Sequence, residues 1–126
     1  MDRLASVSRH EQGGVSIASI GGEIDVSNVA QLGHELTEIP NHALGLVVDL
    51  TGVQYLDSAG ISLLYELHLR LDRRGQVLVV VAPPAAAPRR VLELTAFNTR
   101  ALLADDVPSA VATIRETGES RAHNEA

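Results

Sequence analysis

The sequence predicts an α/β domain: a mixed central β-sheet with helices packed on it. Three observations lead there. Leu44–Leu50 and Val77–Ala82 are continuous apolar runs, as expected of strands buried on both faces. Between them, Gly60–Arg74 carries the strongest helical pattern in the chain, so strand, helix and strand form a parallel pair with a right-handed crossover. The chain also opens on two β-rich segments separated by Gly13-Gly14, a hairpin that adds an antiparallel strand and makes the sheet mixed.

The elements follow in order. Leu4–Arg9 is the first strand, Gln12-Gly13-Gly14 the turn and Val15–Ile20 the second strand, closed by Gly21-Gly22-Glu23-Ile24-Asp25. Val29, Leu32, Leu36 and Ile39 recur at helical spacing, with Asp25 or Ser27 as N-cap and Pro40 as terminator. Leu44–Leu50 ends at Thr51-Gly52. The helix Gly60–Arg74 is closed by Arg73, Arg74 and Gly75, because cations suit a helix C-terminus and glycine the position after it. Val77–Ala82 exits through Pro83 and Pro84. Ala86–Thr95 is helical with Pro88 near its first turn, Arg100–Leu103 is a short strand, and Val107, Ala110, Val111 and Ile114 mark a last helix. The order is β-β-α-β-α-β-α-β-α. One domain spans residues 1–116, and 117–126 is expected to be a polar, frayed tail.

Composition narrows the function. The chain has 126 residues, 45% of them apolar, but its aromatics are only Tyr55, Tyr65 and Phe97, so the core is aliphatic. A net charge of −6 and the lack of base-stacking rings argue against direct nucleic-acid binding. There is no cysteine, which excludes disulfides, thiolate metal sites and thiol nucleophiles. The N-terminal segment lacks the apolar run of a signal peptide, and Val77–Ala87 is too short and too proline-broken to span a bilayer. A cytoplasmic protein with no membrane association is expected.

The most informative segment joins the middle strand to the strong helix: Val53-Gln54-Tyr55-Leu56-Asp57-Ser58-Ala59-Gly60. Ser58 falls at or within a residue of the N-cap, where a hydroxyl accepts from free first-turn N–H groups; a structural cap is the plain reading of it. At about 100° per residue, Gly60, Leu64, Leu67 and Leu71 share one face, flanked by Ile61, Leu63 and His68. Ser58, Ser62, Tyr65 and Leu69 share the other, beside Glu66 and Arg73. Apolar side chains beside small hydroxyls suit either a docking surface or the scattered apolar residues common on any surface.

The run Leu46-Val47-Val48-Asp49-Leu50-Thr51-Gly52-Val53-Gln54-Tyr55-Leu56-Asp57-Ser58-Ala59-Gly60 resembles the signature of STAS domains of the anti-sigma-factor antagonist family. Gly22-Glu23-Ile24-Asp25 resembles a second motif of that family, and the similarity extends from about Leu4 to Arg115. The resemblance implies the STAS fold, with Ser58 as a regulatory phosphorylation site. It implies a non-enzymatic switch without cofactor or metal, whose unphosphorylated form binds an anti-sigma factor and releases a sigma factor. That anti-sigma factor would be a serine kinase of histidine-kinase-like ATPase fold, and a metal-dependent serine phosphatase would reverse the modification. The implied partner surface comprises Asp57, Ser58, Ser62, Tyr65, Leu69 and Asp25, with the Asp25 loop near Ser58 and the Arg89–Leu94 helix and Phe97 near its edge. For that helix and for Phe97, ordinary packing is the favoured reading.

The same residues admit other readings. Asp57 caps the helix, restricts the loop or orients the hydroxyl. Asp49 is at most a strand-end residue bonded to backbone. The five histidines, His10, His34, His42, His68 and His123, show no metal-ligand spacing, and His68 reads as a satisfied interior residue. A small hydrolase using Ser58 lacks the glycine of a nucleophile elbow, since Leu56 and Asp57 precede it. A receiver domain needs a late lysine, and the chain has none. The rival within the fold is an accessory subunit of a transporter or of a stress-sensing assembly. The residues do not say whether Ser62 is a second phosphosite.

Overall fold

The computed structural model describes residues 5–125; Leu4, with which the first strand is expected to begin, and Ala126 lie outside them. Five strands form one sheet in the order β1-β2-β3-β4-β5. They are β1 (Ala5–Gln12), β2 (Val15–Ile24), β3 (Gly45–Leu56), β4 (Val77–Val81) and β5 (Leu102–Ala104). β1 is antiparallel to β2, and β2 to β5 run parallel, so the mixed sheet and its opening hairpin are as expected. The helices are α1 (Val29–Leu36), α2 (Ser58–Arg73), α3 (Ala87–Leu94) and α4 (Val107–Glu125), with a single 3₁₀ turn at Phe97–Thr99.

The middle of the sheet is buried on both faces, which is why β4 reads as unbroken apolar sequence, while the edge strand β1 is largely exposed. On one face Leu46, Val48, Leu50, Leu78 and Val80 meet Leu32 and Leu36 of α1, Leu64, Leu67 and Leu71 of α2, and Leu92 of α3. On the other, Val15, Ile17, Val47, Val77, Val79 and Val81 meet Ala110, Val111 and Ile114 of α4. The sheet permits no side chain at Gly45, where a Cβ would run into the Val77 carbonyl oxygen. No helix among the described residues is long and apolar enough to cross a membrane.

Several boundaries differ from expectation: β1 and β2 run on to Gln12 and Ile24, α1 stops at Leu36 before Ile39, and three further differences shape the site and the last helix. β3 does not end at Thr51-Gly52 but continues to Leu56. From Ser19 to Gly21, β2 advances two residues while β3 advances three, from Asp49 to Gly52; a second slip separates Val53 from Tyr55. Each bulge inserts one residue and returns the next apolar side chain to the same face, so Leu50, Val53 and Leu56 are all buried. That three-residue spacing does not look like a strand. Secondly, neither Asp25 nor Ser27 caps α1. The N-cap position is Asn28, whose side chain instead accepts from the Asp25 N–H and donates to the Glu23 carbonyl at 2.9 Å. Lastly, α4 stays helical through 117–125, the stretch read above as a tail.

Candidate functional site

The site forms where β2 and β3 end side by side. Ile24 pairs with Leu56, and the Asp57 N–H donates to the Ile24 carbonyl at 3.3 Å, so Asp25 and Asp57 leave adjacent strand ends. The chain then turns directly into α2. Gly60 allows this close approach: a Cβ there would collide with Leu56 and come within 3.0 Å of Ile24 Cγ2. The first turn of α2 therefore lies directly on the two strand ends.

Asp57, not Ser58, is the N-cap. Its carboxylate accepts from Ala59 N–H at 2.9 Å and Gly60 N–H at 3.2 Å. Ser58 is the first helical residue, exposed, and its hydroxyl has no hydrogen-bond partner among the described residues. The plain reading of Ser58 as a cap is thus corrected: a carboxylate one residue earlier already holds the donors. Of the three roles weighed for Asp57, capping is the one seen. Asp25 uses its carboxylate on the N–H and hydroxyl of Ser27, bracing the loop beside Ser58 and leaving Val26 exposed.

The α2 face pattern is as read. Gly60, Leu64, Leu67 and Leu71 are buried, while Ser58, Ser62 and Leu69 are exposed on the opposite side. Tyr65 is the exception, half-buried against the core rather than free. The guanidinium of Arg100, which follows the 3₁₀ turn, lies 5.7 Å from the Tyr65 ring centre, and His68 packs 6.2 Å away. Sequence reading missed Arg100 because it lies outside any helix and 35 positions from Tyr65. Only an exposed cation after the buried Phe97 hinted at it.

Several other assignments resolve. Phe97 is 3% exposed and packs in the core, so the ordinary-packing reading holds for it, whereas Leu94 on α3 is 73% exposed. Asp49 does bond to backbone, accepting from Thr51 N–H at 3.0 Å and from the Thr51 hydroxyl, but in mid-strand at the first bulge. His68 does not match the reading as a satisfied interior residue: its Nδ1 is buried with no hydrogen-bond partner among the described residues. No cluster of histidine and acidic side chains suited to a metal ion occurs among the described residues.

A serine standing free at the start of a capped helix, two braced strand-end loops beside it and a half-apolar helix face behind it lie together on one side of an α/β domain. Comparison with known proteins gives the family. Residues 7–104 match the family model described as "Mlab, STAS domain", and the chain belongs to the STAS-domain family. It is 27% identical over 111 residues to the anti-sigma-F factor antagonist RsfB of Mycobacterium tuberculosis, covering 87% of this chain and 89% of that protein. The crystal structure of an anti-sigma factor antagonist from Mycobacterium paratuberculosis superimposes with a TM-score of 0.78 at 27% identity, covering 88% of this chain and 94% of that one. A sulfate transporter family protein from Wolinella succinogenes shares the fold, with a TM-score of 0.68 at 20% identity over 86% of this chain and 90% of its own.

Proposed function

We propose that the protein is an anti-sigma-factor antagonist controlled at Ser58. In this reading the unphosphorylated form docks an anti-sigma factor that is also a serine kinase, and so frees a sigma factor; it acts as a binding switch, not an enzyme. The observation that carries it is the free, exposed Ser58 hydroxyl at the start of α2, in a chain similar along most of its length to an anti-sigma-F factor antagonist. Asp57, Ser58, Ser62, Tyr65, Leu69 and Asp25 form the docking surface. A serine phosphatase restores the binding form, and both partners place the protein in the cytoplasm.

The geometry supports a local mechanism. A phosphate on Ser58 brings about −1.5 to −2 charge. The Asp57 carboxylate already occupies the Ala59 and Gly60 amides, so the phosphate has no free pair of donors to fold back on and projects outward. There it would be desolvated by any partner covering Ser58, while the domain itself needs no rearrangement. The test begins with Ser58→Ala and Ser58→Glu proteins as baits in native lysate. The anti-sigma factor retained by the alanine form is then purified and titrated against both. Binding at least tenfold weaker for the glutamate form, together with ATP-dependent phosphorylation of Ser58 by that partner, is expected. Equal affinity of the two forms would end this proposal.

A second reading, an accessory subunit of a transporter or stress-sensing assembly, draws on the fold shared with the sulfate transporter family protein. Stable co-purification of the wild-type chain with a transporter, and no recovery of an anti-sigma factor, would favour it.

A further inference from the structure

Three arginines are committed to internal acceptors. Arg9 donates to the Glu35 and Glu38 carbonyls, Arg74 to those of Thr37 and Ile39, and Arg89 pairs with Glu93 and Asp105. Arg70, Arg73, Arg90, Arg100 and Arg115 have no such acceptor among the described residues, and of these Arg100 is the one that lies over an aromatic ring. It is exposed, and no carboxylate lies within ion-pair distance of it among the described residues, in a chain of net charge −6. Its guanidinium lies over the Tyr65 ring, 5.7 Å from the ring centre.

Its base is rigid. The Arg100 N–H donates to the Phe97 carbonyl at 2.9 Å, the Ala101 N–H to the same oxygen at 3.0 Å, and Phe97 and Ala101 are both buried. A guanidinium held over a ring without a carboxylate partner keeps N–H groups available, and its planar fork can take a carboxylate with two parallel bonds. Tyr65 stands two turns, about 10 Å, along α2 from Ser58 on the same face. Exposed Leu69 lies one turn further on. Arg73 also lies on this side, but at the helix C-terminus, where the helix's own carbonyls favour a cation.

We propose that Arg100, seated on Tyr65, is the anchor that receives a carboxylate of the docked anti-sigma factor. Leu69 supplies the adjoining apolar contact. Charge sets the orientation: the end of the face near Asp25 and Asp57 is acidic and the Arg100 end basic, so the partner's acidic group belongs two turns from Ser58. Arginine and tyrosine packed together on a preordered base are the residue types that dominate binding energy in interfaces. This inference rests on the function proposed above.

The test titrates the purified anti-sigma factor with wild-type, Arg100→Gln, Arg100→Lys and Tyr65→Phe proteins at low and high salt, with melting temperatures measured alongside. Arg100→Gln should weaken binding about tenfold at low salt and flatten its salt dependence. Arg100→Lys should recover part of the loss and Tyr65→Phe nearly all wild-type affinity, with melting unchanged throughout. Arg100→Gln binding within twofold of wild type at both salt concentrations would overturn the anchor and leave the function proposed above intact. So would wild-type self-association that Arg100→Gln abolishes, since the face would then serve a second copy. Failure of wild type to bind any anti-sigma factor would overturn both.

Discussion

Replacing Asp57 separates the two roles its carboxylate could play beside Ser58. One oxygen holds the Ala59 N–H at 2.9 Å and the Gly60 N–H at 3.2 Å, half of the four donors that a helix start leaves unpaired. Alanine removes both bonds. Loss of an N-cap costs about 0.5–2 kcal/mol. The upper half of that range applies, because the same turn is pressed through Gly60 onto the buried Leu56 and Ile24, and fraying would loosen that contact. About 1–2 kcal/mol in a domain of 126 residues lowers Tm by about 4–8 °C. Asparagine keeps the acceptor and drops the charge; it ranks with aspartate as a cap and forfeits only the attraction to the helix dipole, about 0.5 kcal/mol. Urea unfolding followed by circular dichroism at 222 nm measures both variants. If Asp57→Asn proves as destabilising as Asp57→Ala, charge and not capping holds the turn. If Asp57→Ala loses less than about 0.3 kcal/mol, the carboxylate does not hold the turn and the local mechanism proposed for Ser58 loses its support.

Gly45→Ala should destabilise by about 3 kcal/mol, because its methyl meets the Val77 backbone rather than a side chain that can turn away; denaturant titration giving under 1 kcal/mol would contradict the packing described here. At the start of α4, Asp106 accepts from the Ser109 N–H at 2.8 Å, and this backbone bond, followed by one from the Ser109 side chain, holds its carboxyl below the ordinary carboxylate range. A lowered folded-state value means that its contribution is complete above the unfolded pKa and fades as pH falls through the folded one. Asp106→Asn should therefore flatten the acid limb of a melting-temperature profile, and an unchanged limb would refute the bond's role.

Much of the site was legible because it depends on local periodicity. The α2 stripe of Gly60, Leu64, Leu67 and Leu71 repeats at helical spacing whatever it packs on, so its opposite face, Ser58 to Leu69, follows at once. Gly75, at φ 74°, ends the helix where the arginine-glycine run said it should. The cap was misplaced by one residue because aspartate and serine are both good caps and stand adjacent; which of them turns inward depends on how Leu56 and Gly60 seat the turn.

Apolar runs, helical stripes and glycine turns are short-range features, and they sufficed for the fold class, the element order and the surface that carries Ser58. Strand register and long-range neighbours have no local signature. The two bulges that carry β3 on to Leu56 exist only because β2 lies alongside and Leu50, Val53 and Leu56 must all reach one core. Asp25 comes beside Asp57 only through that pairing, and Arg100 reaches Tyr65 only because Phe97 is buried beneath the loop that carries it. These contacts join residues 32 and 35 positions apart, and burying apolar surface, not local backbone preference, brings such residues together.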